Sequence, residues 1–112
     1  MRRGQIWLGN LNPSRGVEVG KTRPVLVIQS DEVNASSIGT VVVLPLSSDK
    51  SGGEGPARVK VVARGRLAKE SFVLVDQPRA LDKKRFSEGP LAELDAFEMV
   101  SVDRGLRLLL GF

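Results

Sequence analysis

The sequence predicts a mainly β protein with a C-terminal α-helix, folded as a single domain over residues 1–112. Two observations carry the fold class. Apolar residues in the first three-quarters come as short β-branched runs separated by Gly, Pro, Asn and Ser, as strands do. From Asp95 onward the spacing changes to that of an amphipathic helix. The length of 112 residues suits one domain, enough to bury a core without covalent staples.

Gln5-Ile6-Trp7-Leu8 forms the first strand, and the turn-rich run Asn10 to Gly16 ends it, so residues 10–22 read as a long surface loop. Pro24 to Ser30 (PVLVIQS) and Thr40 to Leu46 (TVVVLPL) are continuous apolar runs, the pattern of strands buried on both faces at the centre of a sheet. Between them, Asp31 to Gly39 is a polar loop with room for one helical turn. Pro45 cannot donate to a ladder, so a bulge or a strand end is expected there. Ser47 to Pro56 (SSDKSGGEGP) holds three glycines and almost nothing apolar, which predicts a mobile loop. Arg58 to Ala63 alternates charged residues with Val59 and Val61, a half-exposed strand. Phe72 to Val75 is a further strand, followed by Asp76-Gln77-Pro78-Arg79 and the polar stretch Asp82 to Arg85. Short strands at this spacing indicate a small barrel or sandwich.

Asp95 with Glu98 three residues later makes a capping box, and Leu94 with Met99 can staple the helix entry. Met99, Val102, Leu106 and Leu109 then mark one apolar stripe, with Gly105 inside it at a cost of about 1 kcal/mol relative to Ala. The tail Leu108 to Phe112 is more apolar than a free end needs, and is expected to pack on the barrel or on a second subunit.

The chain has no Cys and no His, so a disulfide framework and thiolate or imidazole metal sites are excluded, as is a Ser-His-acid hydrolase. Chemistry must run on carboxylates, hydroxyls, amides and Arg or Lys. No apolar run approaches a membrane span or a secretory leader, and a cytoplasmic protein without membrane partners is expected. The net charge of +4 is unevenly distributed, with −3 on residues 87–112 and therefore +7 on the first 86. A basic body suits a polyanionic or acidic partner.

Within the segment Gly16 to Pro24, Arg23 stands at the start of a buried strand, where the sheet fixes its backbone and its planar head can hold a phosphate through two parallel hydrogen bonds. Glu18 is the acid of the same loop. Ser47 and Ser48 end the third strand with hydroxyls able to donate to a phosphate oxygen. Gln77, after Asp76, has the donor and acceptor needed to read a base edge.

Arg3-Gly4-Gln5-Ile6-Trp7-Leu8, Asn12 to Glu18, Arg23-Pro24-Val25-Leu26-Val27, Thr40 to Ser48, Asp76-Gln77-Pro78-Arg79 and Leu110-Gly111-Phe112 together resemble the MazF/PemK/Kid toxins, in order through nearly the whole chain. The resemblance implies an SH3-like small β-barrel of the CcdB/PemK type with a C-terminal helix. It implies a homodimeric toxin of a type II toxin–antitoxin system, a sequence-specific endoribonuclease of single-stranded RNA that needs no metal and no cofactor. It also implies an antitoxin partner with an extended acidic tail. The RNA 2′-hydroxyl would attack the adjacent phosphate, leaving a cyclic phosphate and a free 5′-hydroxyl. By position Arg23, Ser47, Glu18 and Asp76 match the family's catalytic groups. Arg23 would carry transition-state charge, with the leaving group as a second role, and Ser47 would position the phosphate. Glu18 and Asp76 both stand as candidates for the general base. Lys21, Ser48, Arg58, Gln77 and Arg79 are the expected RNA contacts. Ser47 replaces the more usual Thr; some relatives carry a second catalytic Arg or a His near the Asp-Gln motif or in the first loop, whereas here Leu74 stands two residues before Asp76 and the chain has no His.

Two other readings share these features. A barrel of the CcdB type poisons DNA gyrase by protein contact, and a non-catalytic SH3-like module would need only the basic body. The joint presence of Glu18, Arg23, Ser47 and Asp76-Gln77 favours the nuclease.

Overall fold

The computed structural model describes residues Met1–Phe112. Seven strands form one antiparallel sheet: β1 Gln5–Asn10, β2 Thr22–Val27, β3 Thr40–Ser47, β4 Arg58–Val61, β5 Ser71–Leu74, β6 Arg79–Asp82 and β7 Phe86–Glu93. A short helix α1, Asp31–Asn34, follows β2, and the long helix α2, Ala96–Leu110, closes the chain. The strand order is β4-β5-β3-β2-β1-β7, with β6 paired to β3. The sheet bends back on itself, because Arg66 beyond β4 donates its backbone N–H to the Leu91 carbonyl of β7 at 2.7 Å. The mainly β barrel with a C-terminal helix expected from the sequence is the fold found.

β2 and β3 are apolar without alternation because both their faces are covered. Leu26, Leu44 and Leu46 face the main core, with Ile6, Val73, Val102 and Leu106. Their neighbours Val25, Val27, Val41 and Val43 face a second cluster with Leu11 and Leu81. β2 stops at Val27, short of Ser30, because the Gln29 side chain takes over the role of backbone. Its amide donates to the Thr40 carbonyl (3.2 Å) and to Asn34 (2.9 Å), and its oxygen accepts from the Val42 N–H (3.1 Å).

Pro45 neither ends β3 nor bulges it. The outer edge of β3 pairs with β6 from Thr40 to Val43 and with β5 at Leu46 and Ser47, and Pro45 falls in the gap between these two partners. β6 and β7 are strands that the apolar pattern does not predict. Leu81 is the one buried residue of β6 and Leu91 that of β7, too few for an alternation to register. The free edges of β3 and β1 recruit them. Glu88 and Glu93 therefore belong to the barrel, and the acidic C-terminal segment is not one structural element.

Helix α2 begins as expected, with Asp95 as N-cap and the Asp95–Glu98 capping box complete. It buries Val102, Gly105 and Leu106, and Gly111 caps its end in the left-handed conformation. Gly105 has a packing reason, since a Cβ there would collide with the Pro56 carbonyl. The buried stripe stops at Leu106: Leu109 is half-exposed, and Leu108, Leu110 and Phe112 keep more than half of their surface open. Leu110 and Phe112 border a groove with Ile28, Val42 and Pro78 of the barrel, so the barrel covers the tail only in part. No helix is long and apolar enough to cross a membrane.

Candidate functional site

β2 starts where the long loop after β1 ends, and β3 stops where the glycine-rich loop begins. Antiparallel pairing brings these two points together. Val25 is opposite Pro45, and continuing that register by two residues sets Arg23 against Ser47. On its other side Arg23 pairs with Gly9 of β1. The Arg23 Nε donates to the Gly20 carbonyl at 2.8 Å, which ties the side chain to its own loop and leaves both terminal nitrogens without a hydrogen bond.

Arg23 lines a cleft of about 340 Å³ together with Ser48, Arg66, Lys69, Ser71 and Glu88, over apolar side chains of Leu8, Leu46, Leu67 and Leu91. Three cations face one carboxylate there, so the cleft attracts anions. Arg66 and Lys69 come from the loop between β4 and β5. Gly65 turns into that loop at φ +54°, against the Leu91 carbonyl, where a side chain would not fit. The buried Ser71 hydroxyl donates to the Lys69 carbonyl at 3.0 Å and fixes the loop's far end. Ser47 does not line the cleft; its hydroxyl accepts the Asp49 N–H at 3.2 Å and turns the chain into the glycine-rich loop.

A second depression, of about 470 Å³, holds Glu18, Asp76, Gln77 and Arg79 beside Val17 and Pro78. The two hollows border the same stretch of chain, with Glu18 lining one and Arg23 the other. Here the side chains bind backbone. Gln77 accepts from the Val19 N–H (3.0 Å) and donates to the Val17 carbonyl (3.4 Å). Arg79 donates to the Leu11 carbonyl at 2.6 Å. Glu18 accepts the Arg15 N–H at 2.9 Å. These bonds hold residues 10–22 in a defined shape, with Lys21 at φ +67° and its N–H donated to Asn12. The Lys21 side chain is exposed and lines neither hollow.

Arg58 organises the loop after β3. It donates to the Asp49 carbonyl (2.5 Å) and the Gly53 carbonyl (2.9 Å), with its guanidinium 4.7 Å from the centre of the Phe72 ring. Asp49 accepts the Ser51 N–H at 2.9 Å, and this backbone hydrogen bond holds its carboxyl below the usual carboxylate range. Arg58 thus ties the glycine-rich segment to β4 at two points, Asp49 and Gly53.

The structure assembles Arg23 with Ser48 in one hollow, and Glu18, Asp76, Gln77 and Arg79 in the next. It adds Arg66, Lys69 and Glu88, which sequence reasoning passed over. The one local signal was a pair of cations around Leu67 after a glycine. Their convergence on Arg23 depends on β7 and the β4–β5 loop meeting across the barrel.

Residues 2–110 match the family described as PemK-like, MazF-like toxin of type II toxin–antitoxin system. The chain is 38% identical over 112 residues to a Staphylococcus epidermidis protein named Endoribonuclease MazF, covering 99% of this chain and 92% of that protein. Among solved structures it is similar to MazF from Deinococcus radiodurans, with a TM-score of 0.83, 28% identity and coverage of 100% and 97% of the two chains. A MazE–MazF complex from the same organism aligns with a TM-score of 0.77 at 29% identity, covering 100% of this chain and 96% of that one.

Proposed function

The chain belongs to the PemK-like, MazF-like toxins of type II toxin–antitoxin systems, and on that premise we propose that it is a single-domain, metal-independent endoribonuclease that cuts single-stranded RNA, mRNA in the cytoplasm. The RNA's own 2′-hydroxyl attacks the adjacent phosphate, giving a cyclic phosphate and a free 5′-hydroxyl. This chemistry asks the protein for a proton acceptor, charge stabilisation on the pentacoordinate phosphorus and a proton for the leaving oxygen. It asks for neither a protein nucleophile nor a metal.

The observation that carries the reading is the cleft in which Arg23, with its terminal nitrogens free, sits among Arg66, Lys69 and Ser48 above an apolar floor. Arg23 stabilises the transition-state charge. Ser48 positions the phosphate from the end of β3, and Ser47, whose hydroxyl accepts the Asp49 N–H, sets the turn that presents it. Glu18 and Asp76 are the two carboxylates for proton removal, reaching the reaction from the neighbouring hollow. Lys21 and Arg58 flank the path of the RNA backbone. Gln77 and Arg79 support it by shaping the loop that carries Glu18 and Arg23.

The protein acts as a homodimer. Support comes from the apolar side chains left bare on α2 and the tail, Phe97, Val100, Leu108 and Phe112. Its second partner is an antitoxin with an extended acidic tail, in keeping with the +7 carried by residues 1–86 and with the MazE–MazF complex of the Deinococcus relative.

The reading is tested by incubating the protein with a long, sequence-diverse RNA in EDTA and sequencing the ends. Cuts at a short shared sequence, with cyclic phosphate and 5′-hydroxyl ends, are expected. A correctly folded dimer that leaves such an RNA intact would overturn it.

A further inference from the structure

We infer that Glu88 reads one base beside the cut, admitting a base that presents an amino group and rejecting uracil; the inference rests on the endoribonuclease reading above. Glu88 is the one carboxylate lining the cleft with Arg23. A fixed negative charge works against the entry of a phosphodiester, so its presence calls for a contact other than phosphate.

The carboxylate is well placed to make one. Glu88 stands on β7 opposite Leu8 of β1. The next residue, Gly89, lies flat on the Trp7 indole, where any Cβ would collide with the ring, so the backbone carrying Glu88 has little freedom. Arg66 stands beside it, Nη1 to Oε1 3.6 Å, and is itself anchored by its Nη2 donating to the Pro90 carbonyl at 3.1 Å. Both side chains are more than half exposed, open to a ligand in the cleft.

An ionised carboxylate only accepts hydrogen bonds. Cytosine, adenine and guanine each present an exocyclic N–H₂ to it. Uracil presents a single ring N–H between two carbonyl oxygens, and those oxygens repel the carboxylate. Leu8 and Leu91 give the base a dry wall, while Arg23 and Lys69 are left for the phosphates on either side. At about 340 Å³ the cleft falls within the range of small-ligand pockets, which start near about 300 Å³.

The test is RNA-end sequencing of wild type, Glu88→Gln and Glu88→Asp on one RNA pool, with melting curves to establish folding. Wild type should cut with uracil depleted at one position flanking the cut. Glu88→Gln, whose amide also donates to a uracil carbonyl, should raise the uracil share at that position roughly fivefold or more. Glu88→Asp should keep uracil out. In a second arm, wild type is titrated with oligonucleotides blocked by a 2′-deoxy sugar at the cut and carrying each base in turn at that position; uracil should bind several-fold more weakly. An unchanged base distribution in Glu88→Gln, or an even loss of cutting at every site, overturns the base-reading role while leaving the nuclease reading standing. Equal binding of all four oligonucleotides does the same. Wild type that cuts no RNA overturns both.

Discussion

Arg64 grips Glu98 through both guanidinium nitrogens, Nη1 to Oε1 at 2.5 Å and Nη2 to Oε2 at 2.6 Å, and so ties the loop after β4 to the first turn of α2. The hydrogen bonds to Glu98 raise the Arg64 pKa above its usual value. Glu98 is also the second half of the capping box, accepting the Asp95 N–H at 2.9 Å. Replacing Glu98 with Ala should destabilise the fold by about 2 kcal/mol, through a lost charge-assisted pair and a lost cap bond. Urea midpoints of Glu98→Ala, Arg64→Ala and the double variant measure it. The double variant should cost less than the two single changes added together, and additive costs would show that the pair is not coupled.

Gly105→Ala is a helix-favouring change on propensity alone, worth about 1 kcal/mol. Here the added methyl meets the Pro56 carbonyl, backbone that cannot rotate aside. Overpacking of that kind costs about 1–3 kcal/mol, so the variant should melt lower than wild type. A higher melting temperature would mean that the β3–β4 loop moves away freely.

Asp31 accepts the Arg3 N–H at 2.7 Å, and this bond, with help from the Asn34 amide, lowers its pKa below the ordinary 3.8. A carboxylate whose folded pKa is depressed adds stability above its unfolded pKa, and that stability fades as pH falls through the folded value. Asp31→Ala should therefore be less stable than wild type at pH 7, with the gap narrowing below about pH 4. Melting temperatures of the two proteins from pH 7 to pH 2.5 check the sign. A gap that widens in acid would contradict it.

Arg23→Ala should lower the RNA cleavage rate by about 100-fold or more, the usual cost of removing a donor to developing transition-state charge. The proposed homodimer should be unaffected, because Arg23 faces the cleft and not the bare face of α2. Single-turnover rates paired with light scattering read both. Loss of dimer together with activity would move Arg23 to a structural role.

Glu18→Gln and Asp76→Asn separate the two candidate bases. The variant that loses the proton acceptor should lose cleavage and, with it, the acid limb of the pH–rate profile; the other should lose only affinity. Equal pH profiles in both variants would place the base elsewhere.

Much of this protein follows from its sequence alone. β-Branched runs covered on both faces located β2 and β3, because a strand buried on two sides must be apolar at every residue. The Asp95–Glu98 capping box located the start of α2, because its two hydrogen bonds are made within a single turn. The ordered motifs from Arg3 to Phe112 pointed to the family, and Arg23 was legible through its position at the mouth of a buried strand. All of these are local signals, carried by neighbours in the chain.

The tertiary structure decided the rest. β6 and β7 exist because β3 and β1 offer unpaired edges, a backbone requirement that leaves little trace in side-chain pattern. Gln29 ends β2 through bonds to Thr40 and Val42, partners that only folding supplies. The cleft was least legible of all. Arg23 and Glu88 are far apart in sequence, and Arg66 and Lys69 sit in a loop without a motif; closure of the barrel puts all four around one hollow. The absence of His and Cys limited the chemistry to charge, hydroxyl and carboxylate. Which carboxylate stands beside Arg23 was a matter of geometry, since proximity across a barrel is set by strand register and not by spacing along the chain.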